Sequence, residues 1–450
     1  MCAGAPFAGR HTEEEMNLVF KRDATRWTVF AGVALAVLAL IAHVGRAYLG
    51  ELVSRRGTTR GLQLAVRLDP QRSEYHRTLG RVYQYSLDSV DPQGALQQLN
   101  SAARLNPYDA QAWLDLGAAL ELQGKIDQAE ACLRRADFLA PNLPGPQWAI
   151  ANFFLLHGNV GEAFRHFRVV LSGTNAYTPP IFGTAWKASN DPKQILDQLI
   201  PSQGSPQFDY LYFLLGRQRW AEAQDVWERI AASPEKFPAE WARQYIDVLL
   251  LNLHRPDQAY EVWSDLLKKG LIQPTEDQVS QTLIFNGHFE QEPANLGFDW
   301  RIVPMEGVYA GLDETAYRSA GHSLLIQFSG KANVDYRNVY QFVRVQPNHP
   351  YRLTWSMKTE GITTDSGVRM EVRDFYDPRA LDQFSESLIG TTEGWSTSTM
   401  DFKTGPKTEL ILVVVARVLS AKLDNQIAGK GWVDDVSLVS TKEEVMPVHR

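Results

Sequence analysis

The chain is nearly free of cysteine: of its 450 residues, only Cys2 and Cys132 carry a thiol. They lie on opposite sides of the one long apolar run, which argues against a structural disulfide between them. There is no CxxC pair and no Cys/His cluster at metal-ligand spacing, so stability must come from packing. Catalytic signatures are also missing. No GxSxG, phosphate-cradling GxxxxGK[ST], GxGxxG or HExxH occurs. Glu13, Glu14 and Glu15 read as a solvated charge run, and Asp374, Asp377 and Asp382 fall in an apparent loop with Pro378, where acidic residues serve turns. The expectation is a protein that is not an enzyme. A Lys/Arg block is lacking too, and the formal net charge is -7, which argues against nucleic acid as a partner.

What is present divides into three textures. A chain this long exceeds one hydrophobic core, and its 44% hydrophobic and 22% charged residues are those of folded protein. From Trp27 to Gly45 run 19 residues without Asp, Glu, Lys or Arg. At 1.5 Å per residue that matches a hydrocarbon layer about 30 Å thick, and Trp27 and Tyr48 suit its two interfaces. The run exceeds the apolar part of a cleaved signal, so a retained transmembrane helix over 27–49 is predicted, after a cytoplasmic tail 1–26. Lys21, Arg22 and Arg26 on one side nearly balance Arg46, Arg55, Arg56 and Arg60 on the other, so the positive-inside rule gives a near tie.

Residues 57–270 carry an internal repeat. Ala65-Val-Arg-Leu-Asp-Pro70, Ala102-Ala-Arg-Leu-Asn-Pro107 and Ala136-Asp-Phe-Leu-Ala-Pro141 place their prolines 37 and 34 residues apart. The best copy runs through Trp113, Leu116, Gly117, Leu120, Ala129, Leu133, Ala136 and Pro141. Small Gly117 and Ala129 let two helices approach, Trp113, Leu120 and Leu133 fill the space between hairpins, and Gly124 breaks the pair. This pattern resembles the tetratricopeptide repeat. The likeness is specific over 61–170 and degenerate after 171, where Leu214, Ala223 and Trp227, then Leu250, Ala259 and Trp263, are weaker copies. It implies an all-α solenoid that binds a protein partner.

After a linker at 271–282, short alternating runs replace helical periodicity: 323–329, 339–345, 351–357, 367–373, 397–402 and 408–416, with 431–438 closing the series. Strands without intervening helices predict a β-sandwich or jelly roll over 283–440, followed by a tail 441–450. The opening Asn286-Gly-His-Phe-Glu290 and the closing Asp434-Asp-Val-Ser-Leu438 resemble carbohydrate-binding modules of the galactose-binding-like fold. That resemblance implies calcium held by Glu290 with Asp434 or Asp435, and a glycan on aromatic faces. Trp300, Tyr309, Tyr336 and Tyr340 with Arg337 are the candidates for that glycan; Trp355 and Trp432 read as core. The whole chain is therefore expected to be a single-pass protein of the inner (plasma) membrane. Its N-terminus would be cytoplasmic and its bulk periplasmic or extracellular, the sidedness resting on the sandwich resemblance. It would act as a non-catalytic scaffold in polysaccharide assembly or export; the alternative is a purely structural scaffold whose sandwich binds no sugar.

Overall fold

The computed structural model describes residues 23–176, 178–275, 282–319, 321–423 and 425–441. Residues 1–22 of the tail expected at 1–26, with Cys2 and Glu13 to Glu15, and residues 442–450 of the tail expected at 441–450 lie outside them, as does half of the linker expected at 271–282. The chain divides into two compact units, within 1–177 and 178–450.

The first unit is helical: α1 (Asp23–Ser54), α2 (Thr59–Leu68), α3 (Ser73–Tyr85), α4 (Pro92–Leu105), α5 (Ala110–Leu122), α6 (Ile126–Leu139), α7 (Pro144–Leu156) and α8 (Val160–Gly173). Within α1, Arg26–Ser54 is long and apolar enough to cross a membrane, and none of its apolar window is buried in the protein. The helix outruns the expected 27–49. Its last turns pack on α2, and Gly50, against the ring of Tyr75, is the one buried residue among 26–54. The first hairpin of the array is thus the end of α1 with α2, followed by α3/α4, α5/α6 and α7/α8. The second helices bury apolar stripes at helical spacing: Ala95, Leu99 and Ala102; Ala129, Leu133 and Ala136; Ala163, Phe167 and Val170. Side-chain caps set the starts, with Asp91 accepting from Gly94 N at 2.9 Å, Asp109 from Gln111 N at 2.9 Å and Asn159 from Glu162 N at 3.2 Å. Gly124, at φ +72°, ends the first helix of its pair as the sequence implied.

The second unit begins with α9 (Thr178–Ala188), α10 (Pro192–Gln194) running into a π-turn at Ile195–Leu199, α11 (Pro206–Gly216), α12 (Trp220–Ala232), α13 (Arg243–Asp247) running into a π-turn at Val248–Asn252, and α14 (Pro256–Lys268). The degenerate sequence is matched by these short helices, two of which are under-wound into π-turns. Two antiparallel five-stranded sheets follow, formed from β1 (Arg301–Ile302), β2 (Val308–Asp313), β3 (Ser323–Ser329), β4 (Tyr336–Arg344), β5 (Pro350–Glu360), β6 (Arg369–Asp374), β7 (Asp382–Phe384), β8 (Ser396–Lys403), β9 (Leu410–Arg417) and β10 (Ala428–Ser440). One sheet has the order β1-β4-β9-β6-β7, the other β2-β3-β10-β5-β8. Their facing sides enclose a core that includes Trp300, Tyr336, Trp355, Met370, Val413 and Val433. Fold and class are therefore those expected: an apolar helix, a tetratricopeptide-like helical region and an all-β sandwich.

Candidate functional site

The glycan candidates do not share one surface. Trp300 and Tyr336 are 0% and 1% exposed and belong to the core, so neither can stack on a ligand. Trp300 packs its ring 5.3 Å from Phe289 and donates its indole N–H to Asn286 O at 3.1 Å. A β-bulge between Tyr336 and Val339 turns Tyr336 to the same side as Val339 and Val343. Tyr309, 57% exposed, lies on β2 in the other sheet. Trp432 is buried, as expected. It is covered on the outer side of its sheet, with Lys358 and Lys430 at 5.4 and 5.9 Å and its N–H on Asp313 at 2.6 Å.

The remaining pair, Tyr340 and Arg337, stands on the outer side of the β4-containing sheet. Directly opposed residues of an antiparallel sheet point the same way, so Tyr340, Val414, Glu371 and Phe384 form one row across four strands. At strand spacing, Tyr340 and Phe384 are about 14 Å apart. Phe342, Leu412, Arg373 and Asp382 form the next row. Arg337 reaches Glu371 at 2.7 Å, also pairs with Asp335, and lies 5.6 Å from the ring of Phe384. Burial pushes the Glu371 carboxyl up from the usual range, against the opposing pull of Arg337. Glu371 and Phe384 were not singled out from sequence, yet the alternation Arg369, Glu371, Arg373 against Met370 and Val372 carries the signal. Part of this face is covered by the preceding helices: Tyr376 donates to Leu250 O at 2.9 Å and stacks on His254, and Arg344 pairs with Asp257 at 3.0 Å.

The calcium candidates are only partly brought together. His288, Asp434 and Asp435 offer ligand atoms within 4.8 Å of one another; Glu290 is not in that group, and its buried Oε1 has no hydrogen-bond partner. Gly287 makes the approach possible, since a Cβ there would meet Val436 O at 2.0 Å. Asp434 accepts from Arg318 N at 2.8 Å, Ser319 N at 3.0 Å and Asp435 N at 2.8 Å. Burial nevertheless pushes its carboxyl up. Asp435 takes His288 Nδ1 at 2.9 Å, Ser319 Oγ at 2.5 Å and Arg318 Nε at 3.2 Å. Calcium needs six to eight free oxygen ligands, whereas here N–H groups and a guanidinium already fill the carboxylates. As arranged, the set does not fit calcium.

In the helical array, successive first helices meet through polar pairs. Arg77 lies 3.4 Å from Asp115, and His157 2.9 Å from Glu121. Burial raises the Asp115 carboxyl. Tyr85, Leu122 and Leu156, at the ends of α3, α5 and α7, are 60%, 71% and 77% exposed.

A tetratricopeptide repeat family model matches residues 86–151. No curated protein matches the chain. Among solved structures, a tailspike domain of bacteriophage CBA120 aligns at 12% identity and TM-score 0.26 over 36% of this chain, which spans 22% of the tailspike chain. A CBM4 structure aligns at 16% identity and TM-score 0.26, over 35% of this chain and 99% of that one. MamA aligns at 21% identity and TM-score 0.26, over 34% of this chain and 96% of its own. Likenesses this remote carry no argument about function. The repeats imply a scaffold that engages a protein partner.

Proposed function

We propose that this chain is a non-catalytic scaffold held in a membrane by α1, whose repeats take a protein partner and whose sandwich takes a glycan. The partner would engage the first helices of the array, where exposed Tyr85, Leu122 and Leu156 flank the ion pairs. The observation that carries the glycan reading is the row from Tyr340 to Phe384. Tyr340 and Phe384 stand about 14 Å apart along that row at strand spacing, with buried Val414 and Glu371 between them and Arg337 beside Phe384. Aromatic faces with a few fixed polar groups are what a sugar requires. A role in polysaccharide assembly or export, with the sandwich outside the cytoplasm, follows from that reading.

The test is calorimetric titration of the detergent-solubilised chain with a panel of soluble polysaccharides. Saturable binding lost in Tyr340→Ala and Phe384→Ala, but kept in Tyr309→Ala, supports the site. Absence of binding across the panel by folded protein sinks it. The purely structural reading would then take its place. It already has one observation in its favour, because Tyr376 and Arg344 spend part of the same face on the chain's own helices.

A further inference from the structure

We infer that one edge of the helical array lies on the lipid headgroups of the same bilayer that α1 spans, and that this edge is built to bind an anionic membrane surface. The inference rests on reading α1 as a membrane anchor. Two close approaches fix how α2 runs: a Cβ at Gly61 would meet Val53 O at 2.7 Å, and one at Gly50 would lie 3.8 Å from Ala65 O. The pairs 53 with 61 and 50 with 65 make α2 antiparallel to α1, so Arg67 returns to the level of Ala47 and Tyr48. The apolar run ends at Gly45, and Arg46 follows it. The turn after α2 therefore sits within about 5 Å of the end of the hydrocarbon-crossing stretch, at 1.5 Å rise per residue.

The later hairpins repeat this polarity. Gly80 faces Leu99, and Gly117 faces Leu133. Local bonds tie each turn to the helix that follows, His76 to Pro70 O at 3.0 Å, Trp113 Nε1 to Pro107 O at 3.1 Å and Gln147 Nε2 to Ala140 O at 3.2 Å. The turns at 69–72, 106–109 and 140–143 thus share one edge. The opposite edge, with the 86–91 loop, is about 20 Å away, the length of α3.

The chemistry of the near edge suits headgroups. The third residue of each Ala-to-Pro repeat is Arg67, Arg104 and Phe138, and all three are exposed. Tyr108 and Leu143, in the turns themselves, are 79% and 58% exposed, and Phe138 is 74%. Arginines beside exposed aromatics are the residues of a membrane interface, where the ring enters the boundary and the cation meets phosphate. The acidic groups nearby are engaged elsewhere: Asp109 caps α5, and Asp137 accepts from Gln147 at 2.7 Å. Asp69 and exposed Glu74, the latter 3.8 Å from Arg72, oppose the pattern.

The experiment places a bimane at Tyr108→Cys, at Leu143→Cys or at Leu87→Cys on the far edge, in a full chain carrying Cys2→Ser and keeping buried Cys132. The protein is reconstituted in vesicles of phosphatidylcholine and phosphatidylglycerol containing headgroup-nitroxide lipid. Quenching several-fold stronger at 108 and 143 than at 87 is expected. Arg67→Glu with Arg104→Glu should diminish that difference. Equal quenching at near and far edges, in protein that resists carbonate extraction, overturns the inference alone. Release of the chain by carbonate overturns the anchor and this inference together.

Discussion

Arg301, on the first strand of the sandwich, places Nη2 2.6 Å from a carboxylate oxygen of Asp247, the last residue of α13. Its guanidinium also covers the ring of Phe342 at 5.0 Å, and its Nε is buried without a hydrogen-bond partner. The pair joins the last hairpin to the sandwich inside one compact unit. Asp247→Ala would leave an uncompensated buried cation, which costs about 3–5 kcal/mol. Asp247 is partly exposed, so the low end is expected. Denaturant unfolding of the variant, followed by tryptophan fluorescence, should show the loss. A change under 1 kcal/mol would mean that the joint does not depend on this pair.

Two buried groups, one in each unit, should contribute opposite pH dependences to stability. His166 is held neutral: burial, then the charge of Arg165, lowers its pKa to about 4. Its Nε2 accepts from Arg165 at 2.8 Å while Nδ1 donates to Gln147 Oε1 at 2.5 Å. The unfolded chain therefore binds the proton first, and stability of the array falls as pH drops from about 6.5 to 4. Asp299 is the reverse case, its pKa pushed up to about 7 by burial although the backbone N–H groups of Ala294 and Trp300 pull it down. Here the folded state holds the proton, so its contribution is full below pH 4 and declines as pH rises to 7. Hydrogen exchange of each unit across pH 4–8 reads both slopes. His166→Gln should flatten the first and Asp299→Asn the second; an unchanged slope in either variant refutes that assignment.

Close helix approach in the array makes a graded pair of substitutions informative. A Cβ at Gly80 would lie 2.6 Å from Leu99 Cγ, whereas one at Gly117 would lie 3.1 Å from Leu133 Cδ2. Overpacking costs about 1–3 kcal/mol, and alanine returns about 1 kcal/mol of helix propensity. Gly80→Ala should therefore destabilise, and Gly117→Ala should be near neutral. Thermal melts would show the order, and the reverse order would contradict the packing.

Much of this was legible in sequence, for a physical reason in each case. The repeat announces itself because Gly80, Gly117, Ala95 and Ala129 must be small where helices touch. The strand 323–329 was read to the residue, since alternating Leu324, Ile326 and Phe328 face the core. The unread strands β1, β2 and β7 are all at sheet edges: two residues, a run broken by Ala310-Gly311, and three residues. Aromatic identity did not reveal facing. Val339, Gln341 and Val343 alternate with Tyr340 and Phe342, two bulky sets, so the buried side depended on the bulge after Tyr336. Trp300 sits in a loop where no period exists to place it. Nor could spacing show that Asp434 and Asp435 would meet Arg318 and His288 rather than Glu290.

That last meeting separates two accounts of the closing acidic pair. If Arg318 supplies the positive charge that Asp435 needs, calcium should add nothing to the intact chain. The thermal midpoint is then expected to be the same in chelator and in millimolar calcium. Arg318→Ala would remove the cation 3.2 Å from Asp435 and free carboxylate oxygens that hard cations favour. The variant should melt earlier than the parent in chelator and recover part of the difference when calcium is added. Glu290→Gln, outside the group, should leave both behaviours alone. A parent midpoint that rises with calcium and ceases to do so in Glu290→Gln would restore the ligand set implied by the family resemblance, with Arg318 displaced to admit the ion.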